Sequence, residues 1–162
     1  MVMNLSKKDF NSLKKKGVVK ASDLKNIKKE NKKYEFSYKV KGKKIKDGYI
    51  VIVYGKHFPK NVMNTWHKGI KIRHRKAISN AFYVFRHLYK NLPFFEKVTL
   101  EYIVCNPKSR DDDANYDPTK PIRDELVEAG FFKDDKRKFI KDTKEKEKIS
   151  KKYRIAIIIR KA

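Results

Sequence analysis

The chain has 162 residues, 40% of them hydrophobic, and its 43 Lys and Arg against 19 Asp and Glu give a formal net charge of +24. This length is typical of one domain with its own core, and this charge favours a polyanionic partner, with nucleic acid ahead of an anionic membrane. There is no apolar run of the roughly 20 residues that span a membrane, no signal-peptide segment at the N-terminus, and only one cysteine, Cys105, which excludes an intramolecular disulfide and a cysteine-based zinc cluster. We therefore expect a soluble cytoplasmic protein that associates with the nucleoid and not with a membrane.

The first 47 residues differ from the rest, because they hold 16 lysines against five acidic residues. We predict a basic N-terminal extension over residues 1–47, followed by one domain over residues 48–162. Two interpretations of the extension are open: an arm that contacts phosphates, or a solvated, partly ordered arm. The alternation in "YEFSYKVKGKKI" indicates that its last part forms a strand or one arm of a hairpin.

After residue 47, the pattern predicts the order strand, helix, strand, helix, strand, strand, which is a small mixed β-sheet packed by two helices in an α/β or α+β fold. The strands are expected at "YIVIVYG" (49–55), "KVTLEYIVC" (97–105), "KRKFIKDTKEK" and "YRIAIIIR" (153–160). A loop, "KHFPKNVMNTWHKG", follows the first strand. Helical spacing of apolar residues predicts an amphipathic helix over residues 72–89, with the buried stripe Ala77, Ile78, Ala81, Phe82, Phe85, Leu88 and Tyr89.

Nine of the 19 acidic residues lie between positions 111 and 135, within "RDDDANYDPTKPIRDELVEAGFFKDD". Asp117 before Pro118 is typical of a helix start, and Gly130 is typical of a helix end. This stretch therefore predicts a helix over residues 118–129, with Ile122 and Leu126 among the residues that contact the sheet.

Acidic groups flank this helix on both sides, and they converge if both ends of the unit reach one edge of the sheet. Converging carboxylates repel one another and raise each other's pKa unless a cation lies among them. Oxygen ligands without a cysteine or histidine cluster favour Mg²⁺, or Mn²⁺, over zinc. Such an ion on a basic protein can activate water and stabilise the transition state of phosphodiester cleavage. The alternative is that residues 111–113 form a solvated loop and residues 134–135 a turn.

The order of residues over 110–135 resembles the RusA-type Holliday junction resolvases and their phage-encoded relatives. It consists of Arg, Asp, two residues and Asn, then Pro-Thr and a lysine, an Asp four residues after that lysine, "LVEAGFF" and a closing Asp-Asp pair. The order of the strands agrees from about residue 49 to residue 160, whereas the first 47 residues are not covered. The resemblance implies a small mixed α/β domain that forms a homodimer and nicks four-way DNA junctions at symmetric sites with Mg²⁺.

The same resemblance implies a set of site residues. Asp112 would be the first metal-binding aspartate, Asn115 the motif asparagine and Lys120 the active-site lysine. As catalytic residues we take Asp112, Lys120 and Asp135, and as metal ligands Asp112, Asp113, Asp124, Asp134 and Asp135. Many members carry an aspartate where this chain has Ala114, so the second ligand is open between Asp113, Asp117 and Asp124. For Lys120, the other interpretation is a surface ion pair with Asp124.

Contacts to DNA are expected from basic residues near this motif and from the loop after the first strand. His74 and Arg75 are interpreted as phosphate contacts, with a solvated helix face as the alternative. Trp66 is interpreted as a residue that stacks on an unpaired base, with the anchoring of a loop as the alternative. The full set is Lys60, Asn61, Trp66, Arg73, His74, Arg75, Arg110 and Asn115.

The sequence thus predicts a homodimeric, Mg²⁺-dependent endodeoxyribonuclease that resolves branched DNA in recombination and repair, encoded by a phage or prophage. A dimer suits two symmetric cuts, because a twofold axis relates two active sites. The hypothesis from another class is a non-catalytic basic DNA-binding module in which Ala114 marks a decayed metal site. An RNA-directed protein would account for the lysines but not for the acidic stretch.

Overall fold

The computed structural model describes residues 35–58, 60–108 and 119–162, without the side chains of Lys60 and Asn61. This part of the chain contains five strands and three helices. In chain order they are β1 (Lys39–Ile45), β2 (Gly48–Tyr54), α1 (Lys60–Thr65), α2 (Lys68–Leu88), β3 (Val98–Asn106), α3 (Lys120–Glu128), β4 (Ile140–Ile149) and β5 (Arg154–Lys161). None of these helices is long and apolar enough to cross a membrane.

The strands form one sheet in the order β1–β2–β5–β3–β4. All neighbouring pairs are antiparallel except β3 and β4, which are parallel. A parallel pair needs a crossover connection, and here the chain passes from β3 through α3 to β4. At the other edge, β1 and β2 form a hairpin whose turn contains Asp47 with φ 58°, a left-handed conformation that aspartate tolerates. The sheet is therefore mixed, as the sequence predicts, and the architecture is α+β.

One face of the sheet packs against α2 and α3. In the central strands β2, β3 and β5, every second residue points to this face and is buried, as the period of two requires, and Val51, Tyr102 and Ile157 are fully so. From the helices, the core receives Ile78, Ala81, Phe82, Phe85, Ile122 and Leu126. Burial of each large apolar side chain contributes roughly 1.5–3 kcal/mol, so this single layer is the main source of stability.

Leu88 is a correction to the predicted stripe of α2, because it is 71% exposed. At 100° per residue it lies about 90° from the centre of the stripe that Ile78, Phe82, Phe85 and Tyr89 define. A residue at that margin extends past the sheet instead of facing it. The amphipathic helix itself is confirmed, and it begins four residues earlier than the pattern indicated.

Other boundaries also differ from the prediction. Residues 60–65, expected in a loop, form the short helix α1. The helix expected from residue 118 begins at Lys120 with Thr119 as its N-cap and a proline in its first turn, where a missing N–H is harmless. Asp117 and Pro118 lie outside the described residues. The predicted end of this helix is confirmed, since Gly130 has φ 82°, the left-handed value that favours glycine.

The sheet begins before residue 48. β1 lies within residues 1–47, where a basic extension was predicted, and all seven of its residues pair with β2. The strand or hairpin arm expected from "YEFSYKVKGKKI" is thus an edge strand of the sheet.

Candidate functional site

Two acidic groups were predicted to converge, residues 111–113 before α3 and residues 134–135 after it. The crossover from β3 to β4 determines from which end of the sheet the chain enters each of them. The N–H of Phe95, just before β3, donates a 2.8 Å hydrogen bond to the carbonyl of Phe131, just after α3. The chain after α3 therefore returns to the beginning of β3, and residues 134–135 lie near that end. Residues 107–108 instead leave the opposite end of β3. Convergence of the two groups thus depends on the path of residues 109–118, which lie outside the described residues.

Asp134 is held by its neighbours. Its Oδ2 lies 2.8 Å from Lys136 Nζ, and its Oδ1 accepts a 2.8 Å hydrogen bond from the backbone N–H of Asp135. The hydrogen bond from Lys136 is the main reason that the pKa of Asp134 lies below its ordinary value, and the same bond raises the pKa of Lys136. Asp134 is therefore ionised at neutral pH, as a carboxylate ligand of a hard cation must be.

Asp135 lines an open depression of about 380 Å³ at the beginning of β4. The basic residues around it are Arg123 from α3, Arg137 from the connection and Lys141 from β4. β4 has a bulge at Lys141, where its register against β3 shifts, and bulges commonly redirect side chains at functional sites. Asp142 of β4 lines the depression as well. Two carboxylates among three cations provide oxygen donors inside a field of net positive sign, which suits an anionic group such as a phosphate.

Asp124 and Lys120 are four residues apart on α3, but Asp124 pairs elsewhere. Its Oδ2 accepts a 2.8 Å hydrogen bond from Nη2 of Arg75 on α2. The ion pair of Asp124 is thus with Arg75 and not with Lys120, which corrects that interpretation. Asp124 faces α2 and is not among the residues that line the depression beside Asp135. Lys120 is exposed in the first turn of α3.

Several predicted site residues lie outside the described residues. They are Arg110, Asp112, Asp113 and Asn115, together with the side chains of Lys60 and Asn61. Within the described ranges, no three His, Cys, Asp or Glu side chains form a group that could hold a metal ion. The predicted site needs Asp112 to complete it, so it stays a prediction.

Trp66 is buried, with 4% of its surface exposed, which corrects the view of it as a base-stacking residue. Its ring centroid lies 5.4 Å from Phe36, 5.0 Å from Phe58 and 5.2 Å from His74. These rings form a second small core under α1. The alternative interpretation, that the tryptophan anchors this segment, is the one the packing favours.

His74 is buried in the same cluster, whereas Arg73 and Arg75 are exposed on α2, as a phosphate contact requires. The Tyr38 hydroxyl donates to the Lys56 carbonyl at 2.6 Å, so at 3.0 Å it is His74 Nε2 that donates to the Tyr38 oxygen. Burial lowers the pKa of His74 to about 4 and raises that of Tyr38. A buried, neutral imidazole cannot act as a phosphate contact, so this prediction for His74 is corrected.

The sequence did not single out Arg123, Arg137 and Lys141. All three lie on the crossover from β3 to β4: Arg123 on α3, Arg137 in the connection before β4, and Lys141 on β4. Only the parallel pairing of β3 with β4 brings them together, and no spacing in the sequence reports that pairing. A signal did exist for Arg123, which is directly adjacent to the helix aspartate of the motif.

Comparisons with known proteins add no family assignment. No protein-family model matches the chain, and no curated protein sequence matches it significantly.

Proposed function

We propose that this protein is a Mg²⁺-dependent, structure-selective endodeoxyribonuclease of the RusA type. Acting as a homodimer, it would resolve four-way DNA junctions by paired symmetric nicks. The resemblance over residues 110–135 and the net charge of +24 support this proposal. The charge supplies affinity for phosphates, and junction shape supplies selectivity.

The observation that carries the proposal is the depression at the beginning of β4. It combines two carboxylates, Asp142 and Asp135, the last aspartate of the resembling motif, with the cations Arg123, Arg137 and Lys141. A purely phosphate-binding groove gains nothing from a carboxylate, which repels the phosphate. A nuclease site that uses a metal ion needs both kinds of group side by side.

The described donors fit Mg²⁺ in type, because they are carboxylate oxygens and Asp134 is held ionised. Asp135, Asp134 and the predicted Asp112 would hold the ion. When bound, Mg²⁺ activates water and neutralises charge on the phosphate. Arg123 and Arg137 would orient the phosphodiester in the depression, and Lys120 would stabilise the charge that develops on it.

The test is incubation of the purified protein with a labelled four-way junction and with a linear duplex of matching sequence, with Mg²⁺ or with EDTA. Asp135→Asn removes the one carboxylate of the depression that belongs to the resembling motif. Asp47→Asn is its matched control, because it removes the same charge from the β1–β2 turn, where asparagine tolerates the left-handed backbone.

We expect paired symmetric nicks in the junction alone, abolished by EDTA and by Asp135→Asn but not by Asp47→Asn. Junction binding by Asp135→Asn should be retained. Tight binding without cutting by the unmodified protein, under Mg²⁺ and Mn²⁺ alike, would refute the enzyme and identify a DNA-binding module.

A further inference from the structure

The sheet has a second face, opposite to the helices, which we call the open face. It consists of the strand residues that alternate with the core positions, and the strand register places them side by side. The buried residues of α2 and α3 belong to a core formed with the other face. Among the described residues, no helix therefore packs on the open face.

Two rows of lysines border the open face. On β1 and β4, at opposite edges of the sheet, the exposed residues of this face are Lys39, Lys41 and Lys43, and Asp142, Lys144, Lys146 and Lys148. Contacts across the face confirm this orientation: Lys41 Nζ lies 5.9 Å from the centre of the Tyr54 ring, and Lys146 Nζ lies within ion-pair distance of Glu101, at 2.6 Å.

The spacing of these lysines is regular. Alternate residues of a strand are roughly 6.6 Å apart, and the four strand intervals from β1 to β4 amount to about 19 Å. Duplex nucleic acid carries one charge per about 3.4 Å of each strand. Projected on the helix axis, the distance between neighbouring lysines of a row equals about two phosphate steps of one strand.

The centre of the open face contains apolar side chains that are only partly exposed. Ile50, Ile52, Ile103 and Ile158 lie between the lysine rows, and each of them is half-buried. None belongs to the strongly exposed large apolar residues of the described chain. A surface that inserts into a membrane needs strongly exposed apolar side chains, whereas a surface bordered by two rows of lysines fits a rod of negative charge.

Charge also decides among other occupants. Residues 1–34 hold eleven lysines against three acidic residues, so this segment is repelled by the lysine rows. A second copy of the same face is repelled for the same reason. The two acids of the open face do not reverse its sign, because Glu101 bonds to Lys146 and Arg160, and Asp142 lies 3.9 Å from Lys144.

We propose that the open face is a second nucleic-acid surface, which binds the phosphate backbone of a duplex between the lysine rows of β1 and β4. Its lysine rows lie on the opposite side of the sheet from α3 and Arg123, whereas Asp142, at the beginning of β4, lines the depression at Asp135 from the open face. One molecule would therefore hold two duplex segments at once. This inference goes beyond the proposed nuclease, because it needs neither metal nor cleavage.

The test compares two fourfold variants of the full chain in EDTA. The first changes Lys41, Lys43, Lys144 and Lys148 to Gln. The matched control changes four exposed lysines of the connections, Lys90, Lys133, Lys151 and Lys152, to Gln. Affinity for a short fluorescent DNA duplex is measured by anisotropy over a range of salt concentrations, after circular dichroism has shown equal unfolding midpoints.

We expect the open-face variant to lower the slope of log K against log salt by about 0.9 for each lysine that contacts a phosphate, hence by about 3 to 4 in total. The control variant should change it by less than about 1. Equal slopes for the two variants would refute the surface. A second outcome would also refute the surface: the open-face variant binds the duplex as well as the control variant does, but no longer sediments with vesicles of equal phosphatidylserine and phosphatidylcholine. That outcome would identify a membrane surface.

A second readout tests the two-segment claim and separates it from the nuclease. Unmodified protein should retain a labelled duplex on beads that carry an unlabelled one, and the open-face variant should lose this bridging. Bridging without any junction cleavage would refute only the nuclease. Cleavage with unchanged bridging in the variant would refute only the open-face surface.

Discussion

His74 is a buried imidazole whose environment disfavours the charged form. Its pKa is about 4 in the folded chain, against an ordinary value of 6.5 when unfolded. Between these values the unfolded chain binds more protons than the folded chain, so stability falls as the pH decreases. The contribution is fully present above pH 6.5 and lost by about pH 4.

We expect His74 to account for about 2 kcal/mol of lost unfolding free energy between pH 7 and pH 5. Urea unfolding of the unmodified protein and of His74→Gln at both pH values measures it. The variant is less stable at pH 7 but should lack this part of the pH dependence, since glutamine does not titrate. An equal pH dependence in both proteins would contradict the low pKa.

Asp124 presents a different case, because its ion pair with Arg75 is exposed, with 64% of the Arg75 side chain accessible. Such pairs contribute roughly 0.2–1 kcal/mol. We expect Asp124→Asn to lower the unfolding free energy by less than about 1 kcal/mol and to retain most junction cleavage, unlike Asp135→Asn. A double-mutant cycle with Arg75→Gln measures the coupling. Loss of cleavage equal to that of Asp135→Asn would restore Asp124 as a metal ligand.

At the scale of elements, features that depend on a local pattern could be predicted from the sequence, whereas features that depend on tertiary contacts could not. The five strands, the first of them as a strand or hairpin arm, and α2 could be predicted, because apolar alternation and helical spacing belong to each segment alone. The burial of Trp66 and His74 could not be predicted, since it results from the packing of α1 against α2 and residue 36. The same holds for the depression at Asp135, whose walls meet only through the parallel pairing of β4 with β3.

The end of α3 provides a test at this scale. Gly130 has φ 82°, and a Cβ there would meet no atom within 4 Å, so any effect of a side chain is one of backbone strain. We expect Gly130→Ala to lower the unfolding free energy by roughly 1–2 kcal/mol. Gly69→Ala is the control, because in the first turn of α2 its Cβ makes only ordinary contacts and alanine favours the helix. Equal effects of the two changes on urea unfolding would contradict the left-handed conformation.

At the scale of the whole molecule, one third of the net positive charge lies in a part of the sequence that precedes the core. Every buried core residue lies between Val40 and Ile159. Residues 1–34 carry eleven lysines and three acidic residues, a net charge of +8. We expect deletion of residues 1–34 to leave the unfolding midpoint nearly unchanged and to weaken duplex binding at low salt. Circular dichroism and anisotropy measure the two, and a large loss of stability would show that the segment belongs to the fold.

The edge strand β4 has one more consequence. Its outer side, among the described residues, pairs with no further strand, and such an edge can recruit a strand from another chain. From residue 141 to residue 148, however, β4 reads Lys-Asp-Thr-Lys-Glu-Lys-Glu-Lys, and every one of these side chains is exposed. A second strand laid against it would have to dehydrate this row of charges. β4 thus protects the concentrated protein against fibre-like self-association.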